Sequence, residues 1–267
     1  MTKQFKLTPA FLLLAVLGVI IWQVLPPHRI EPAFQGKPLR YWFQQYADLT
    51  PSTSEATNAI QQVGKAAVPF LVQILDAPDP WWQKRYDAVF QRLPKSLATR
   101  LPYPVAIGKT RAARLAALDA LALIAPSDEE ALAAVIKSLN ASDIEVRRSA
   151  PLLLGQLGPK TTSVIPALVN ALTNNDWYAE ENALRALAAM GPAATNTIPV
   201  LENALKHGHP DFQTFAAEGL GNIGPGAKAA TPSLLTAMQD VNPAVREAAI
   251  SALLKIDPEA AAKAGVK

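Results

Sequence analysis

Three histidines and no cysteine limit the chemistry this chain can carry. His207 and His209 flank Gly208, a spacing that could set two imidazoles on one metal ion. No third ligand clusters beside them in sequence, so they read as turn residues, and no metal site is expected. Gly219-Leu220-Gly221-Asn222-Ile223-Gly224 imitates half of a phosphate loop, yet no strand precedes it. Its glycines fit better as small residues that let a neighbouring helix approach. The missing cysteine rules out disulfides, thiolate nucleophiles and lipid attached through cysteine. These residues assemble no catalytic set, so the expectation is a chain that is not an enzyme and takes no cofactor.

Two groups of residues suit binding instead. Gln73, Lys137, Asn170, Asn203 and Thr236 form a mostly uncharged polar row, with Lys137 to Thr236 spaced 33 residues apart. Carboxamides both donate and accept hydrogen bonds, so such a row can grip a peptide backbone without reading its sequence. The adjacent positions Ser138, Ala171, Ala204 and Ala237 are small, which would let another chain come close. The second group lies in residues 81–109. Lys84, Arg85, Arg92, Lys95, Arg100 and Lys109 face a single acid, Asp87, with Trp81, Trp82, Tyr86, Phe90 and Tyr103 interleaved. Bases mixed with aromatics can contact anionic lipid or an acidic partner. Trp82, Tyr86 and Phe90 also fit a helix's core stripe, which leaves Trp81 and the charges Lys84, Arg85, Arg92, Lys95 and Arg100 as the possible contact set.

The elements that would position these residues repeat. Pro126, Pro159, Pro192, Pro225 and Pro258 are each 33 residues apart. In the same register run Ala117, Ala150, Ala183, Ala216 and Ala249, then Leu121, Leu154, Leu187, Leu220 and Leu253. A third column is Ile124, Leu157, Met190, Ile223 and Ile256. Inside one repeat these positions fall at i, i+4 and i+7, a single helical stripe. Gly158-Pro159, Gly191-Pro192 and Gly224-Pro225 should end each first helix. Ile165-Pro166, Ile198-Pro199 and Thr231-Pro232 should open each second helix, where the missing proline N–H costs nothing. Asp143, Asp176 and Asn242 are placed to cap the first helices. The binding row then falls on second helices.

The run Asp143-Ile144-Glu145-Val146-Arg147, followed by Ala150, Leu154, Gly158-Pro159 and Ile165-Pro166, resembles the bacterial HEAT-like repeat of the phycobilisome-lyase type. Arg114, Arg147 and Arg246 hold that motif's arginine, whereas Glu180 and Gln213 depart from it, so any Asp–Arg ladder should break in the middle. The resemblance spans residues 52–267 and implies an all-α superhelical solenoid of armadillo-like plan. It implies that second helices line a concave face, and hence protein binding there. Bilin attachment elsewhere in that family supplies the alternative, a catalytic or cofactor-attachment factor on the same solenoid.

The N-terminus has another character. Ala10–Trp22 contains no polar side chain, and Lys3 and Lys6 precede it. The nineteen residues Leu7–Leu25 would span roughly 29 Å as a helix, about the hydrocarbon thickness. The sequence after it lacks the small residues of a signal-peptidase site. The expected organisation is therefore a cytoplasmic N-terminus (1–8), a transmembrane anchor (9–25) and a Pro-rich linker with an opening helix (26–50). A HEAT solenoid (51–267) follows, with a degenerate repeat at 78–109. The flanking lysines favour N-in topology in a bacterial inner membrane, with the solenoid facing the periplasm or exterior. Residues 1–110 carry 12 basic and 6 acidic side chains, and residues 111–267 carry 13 and 16. The regular repeats are thus net acidic, which argues against nucleic acid as a partner.

Overall fold

A computed structural model describes residues 32–48, 54–77, 105–158 and 161–266, with side chains from 111 onward in the long helix that starts at Val105. The expected anchor, most of the linker, Pro159 and the basic segment with Trp81, Lys84, Arg85, Arg92, Lys95 and Arg100 lie outside the described residues. Among the described residues no helix is long and apolar enough to cross a membrane.

The described chain opens on a two-residue ribbon, β1 (Ala33–Phe34) antiparallel to β2 (Lys37–Pro38). Gln35 and Gly36 turn it with positive φ at both positions, the geometry of a tight hairpin. The last linker residues are therefore a turn, although their prolines suggested an extended spacer. Helix α1 (Leu39–Asp48) follows and buries Leu39, Trp42 and Phe43. The Trp42 indole N–H donates to the Phe34 carbonyl at 3.0 Å, tying ribbon to helix. The Tyr46 hydroxyl donates to Asp119, and burial first, then that carboxylate, pushes the phenol well above its usual range.

Helical hairpins then repeat. α2 (Ser54–Val63) and α3 (Val68–Leu75) form the first. α4 (Val105–Ile124) pairs with α5 (Glu129–Lys137), and α6 (Ile144–Gln156) with α7 (Ile165–Ala171). α8 (Trp177–Ala189) pairs with α9 (Ile198–His207), and α10 (Pro210–Ile223) with α11 (Thr231–Ala237). α12 (Pro243–Ile256) and the short α13 (Pro258–Lys263) close the stack, with Ala261 buried beneath the end. Residues 105–109, placed by the sequence in the degenerate repeat 78–109, begin the long first helix α4.

The 33-residue columns set the packing. All five residues of the alanine column are 0% exposed, and all five of the leucine column are at most 1% exposed. Burying each leucine contributes about 1.5–3 kcal/mol. In the third column Leu157 alone is partly exposed. Gly158, Gly191 and Gly224 end their first helices with φ of 72°, 55° and 75°, as the glycine signal implied.

First helices meet through a seam of small residues. A Cβ on Gly155 would lie 2.8 Å from the Ala186 Cα, and one on Gly221 2.9 Å from the Ala252 Cα. Between them the roles swap, because Gly219 faces Ala188 and its Cβ would lie 3.3 Å from the Ala188 Cα. Of the glycines that imitate a phosphate loop, Gly219 and Gly221 are thus packing residues inside α10 and Gly224 is the glycine that ends it.

Candidate functional site

Capping and inter-repeat ion pairs share the same carboxylates. Asp143 accepts from the backbone N–H groups of Glu145 and Val146 at the start of α6. It also takes the Arg114 guanidinium at 2.8 Å, both side chains being largely buried. Burial alone would raise this carboxyl, but Arg114 and the backbone N–H groups outweigh it and hold it below its usual range. One repeat on, Asp176 binds Arg147 at 3.1 Å and Arg148 at 2.9 Å. Burial opposes its ionisation too, and the two arginines again win. Asp176 makes no side-chain capping hydrogen bond to α8, contrary to expectation; its hydrogen bonds go to those arginines.

The ladder stops there. His209 occupies the cap column at the start of α10, where its Nδ1 lies 3.4 Å from the Asp211 N–H. Its ring stands edge-on to Trp177, which stacks on Phe212 with centroids 4.4 Å apart. His209 is thus a helix cap and an aromatic contact, more constrained than a solvated turn residue. Asn242 caps α12 as expected, through the Ala244 N–H. In the arginine column, Gln213 reaches back to the Leu205 carbonyl and Arg246 to those of Asp240 and Val241. Glu180 has no side-chain hydrogen bond or ion pair among the described residues.

That unpartnered carboxylate lines a cleft of about 350 Å³ formed by α7, α8, α9, α10 and the turns between them. Leu184, Val200 and Phe212 supply apolar wall, while Asn203 and His207 supply polar atoms. The two histidines therefore serve different surroundings. Among the described residues no group of three potential ligands is placed to hold a metal ion.

The polar row stands where the repeat register puts it. Gln73 on α3, Lys137 at the end of α5, Asn170 on α7, Asn203 on α9 and Thr236 on α11 are all exposed. Lys137 is tied to Asp76 at 2.7 Å, so its charge is already neutralised. Asn203 alone of the row borders the cleft. The adjacent small column differs from expectation. Ser138, Ala171 and Ala237 are buried and fill the stack, with Ser138 Oγ donating to the Ala134 carbonyl, whereas Ala204 is partly exposed and lines the cleft. The cleft escaped sequence reasoning because its walls come from positions between 169 and 212 that no spacing rule joins.

Paired helices at a fixed 33-residue period, each burying the same alanine–leucine stripe, define an α-α solenoid of two-helix repeats. The family described as HEAT repeats matches residues 108–188, 134–205 and 198–264, more than half of the chain. The chain belongs to the HEAT-repeat family. No curated protein matches it by sequence. Among solved structures it is similar to a chain of the complex of CpcE and CpcF of phycocyanin lyase from Nostoc sp. PCC7120. Identity is 22%, TM-score 0.42, and coverage 90% of this chain and 85% of that one. The expectation that the chain is not an enzyme is corrected by this finding, since a chain of a lyase complex is among its structural likenesses. So distant a likeness carries no argument about activity here, and the non-enzyme assignment is withdrawn without a catalytic one replacing it.

Proposed function

We propose that this HEAT-repeat chain is a membrane-anchored interaction scaffold. It holds an extended segment of a protein partner along the face made by its second helices, through Gln73, Lys137, Asn170, Asn203 and Thr236. The observation that carries the reading is the register of exposed polar side chains, one per second helix, beside buried neighbours. Asn170 and Asn203 are exposed, whereas Leu168, Leu201 and Leu205 of the same helices are buried. Packed helices lie about 8–10 Å apart and an extended chain rises about 3.3 Å per residue, so a row spaced by the repeat would meet roughly every third peptide group of the partner. Residues 9–25 anchor the scaffold N-in in a bacterial inner membrane, with the repeats on the periplasmic or exterior side. The apolar run Ala10–Trp22 behind Lys3 and Lys6 supports this arrangement.

Photo-crosslinking residues at positions 170 and 203 of the full chain, in native membranes, test the reading. Both should capture the same protein, while positions 218 and 247, exposed on first helices, should capture none. Equal capture from all four positions would contradict a second-helix site. A C-terminal reporter that works only in the cytoplasm should stay silent, and an active fusion would overturn the topology.

A further inference from the structure

The break in the ladder coincides with the cleft. In the preceding repeat the arginine-column residue, Arg147, reaches the Ala141 carbonyl with one nitrogen and Asp176 with another. Glu180 holds the same position one repeat later with the opposite charge. A carboxylate cannot donate to a turn carbonyl, and its would-be partner column offers His209, whose ring is engaged with Trp177. Neither contact forms. The other acids of α8 and α9 are satisfied within the protein. Glu181 lies 3.8 Å from Arg185, and Glu202 accepts from Ser233 at 2.7 Å with Lys206 nearby. Glu180 alone of these three is left for a ligand, at the wall of a cleft whose other sides include Leu184, Val200 and Phe212.

We propose that this cleft receives one arginine or lysine side chain of the bound polypeptide, with Glu180 as its counter-ion. The methylene stem lies along the apolar wall, as such stems do when only their charged end is polar. The cationic head meets Glu180, and Asn203, on the cleft's rim and in the polar row, holds the neighbouring peptide group. Charge complementarity selects this occupant. An acidic side chain would meet an uncompensated carboxylate, and an apolar one would cover that carboxylate without pairing it. The inference rests on the second-helix groove proposed above and adds a side-chain preference to it.

The test uses the full chain in lipid nanodiscs. The probes are two fluorescein-labelled nonapeptides of serine and glycine, one with arginine at its centre and the other with citrulline, the neutral near-isostere. The arginine peptide should bind roughly two- to tenfold more tightly, the range of a partly exposed ion pair. Raised salt should shrink that preference. Glu180→Gln, close in shape and at a side chain with no hydrogen bond or ion pair to lose among the described residues, should abolish the preference while leaving citrulline-peptide binding unchanged. Glu180→Arg should reverse it. The Asn170→Ala/Asn203→Ala variant should weaken both peptides together. If both peptides bind equally, in wild type and in Glu180→Gln, the cleft assignment fails and the groove reading stands. If neither peptide binds at millimolar concentration, the groove reading fails and takes the cleft with it.

Discussion

The interface between α6 and α8 and the next one, between α8 and α10, are built on the same seam but differ in their ionic chemistry. Each brings a glycine against an alanine, Gly155 on Ala186 and Gly219 on Ala188. Leu154 and Leu187 share one hydrophobic cluster, whereas Leu220 belongs to the next, which Leu184 of α8 joins. Only the first interface adds arginines to a carboxylate of the cap column, through Arg147, Arg148 and Asp176. In the second, Glu180 and His209 stand where arginine and aspartate would pair. The stack continues unbroken past this point, so the apolar stripe and small-residue seam suffice to hold repeats together. The ladder is an addition, and where it lapses a polar side chain becomes available to solvent. A repeat protein can thus open a site by changing one column without disturbing the others.

The largest effect in this comparison is expected at the head of the ladder. Arg114→Met removes one member of a largely buried pair and strands Asp143. That should destabilise by about 3–5 kcal/mol in denaturant unfolding. Gln213→Met, in the same column beyond the break, loses one hydrogen bond and should cost about 0.5–1.5 kcal/mol. Equal costs at the two positions would remove the distinction between the two regions.

The seam gives the next effect, and its sign is informative. Alanine is the better helix former by about 1 kcal/mol, so Gly→Ala should stabilise wherever there is room. At Gly155 and Gly221 the new Cβ meets backbone below 3.0 Å, and overpacking of about 1–3 kcal/mol should prevail. At Gly219 the contacts are 3.2–3.4 Å, and the change should be close to neutral. Thermal unfolding of the three variants distinguishes them. Ala183→Leu, in the fully buried column, belongs with the first group at about 1–3 kcal/mol, against less than about 0.5 kcal/mol for a change at the exposed Lys206.

Acid should separate the regions more gently. Asp143 and Asp176 have folded-state carboxyls held below their unfolded values. Their contribution is therefore fully present above about pH 4 and is lost as pH falls through the depressed values. Hydrogen exchange below pH 4 should show α4, α6 and α8 loosening before α10 and α12. Simultaneous loss of protection would show that the ladder does not distinguish the two regions.

Much of this architecture was readable because each helical stripe is sampled five times at one period. Ala117 to Ala249 and Leu121 to Leu253 are buried for the reason their spacing suggests, and the broken ladder follows from Glu180 and Gln213 in the arginine column. What escaped depends on geometry across repeats. His209 shares a column with Asp143, Asp176 and Asn242, so its capping role could have been found by register; histidine is simply an uncommon cap. Asp176 binds Arg147 and Arg148 and makes no capping hydrogen bond, a difference from Asp143 set by side-chain placement that spacing does not encode. Ser138, Ala171 and Ala237 sit one residue beyond the exposed row, and that single step of about 100° along the helix turns them inward. Small size alone did not reveal which way they face.

On the proposed function, the second-helix face, and not the basic segment 84–100, holds the partner. The direct measurement titrates the protein crosslinked at position 170 against wild type, Asn170→Ala/Asn203→Ala, and a variant with the charges at 84–100 neutralised, each at low and high salt. Two lost hydrogen bonds should lower affinity very roughly 5- to 150-fold in the double variant, with little dependence on salt. The neutralised variant should bind like wild type. Wild-type affinity in the double variant, together with loss of binding in the neutralised one, would contradict the account and move the site to the basic segment.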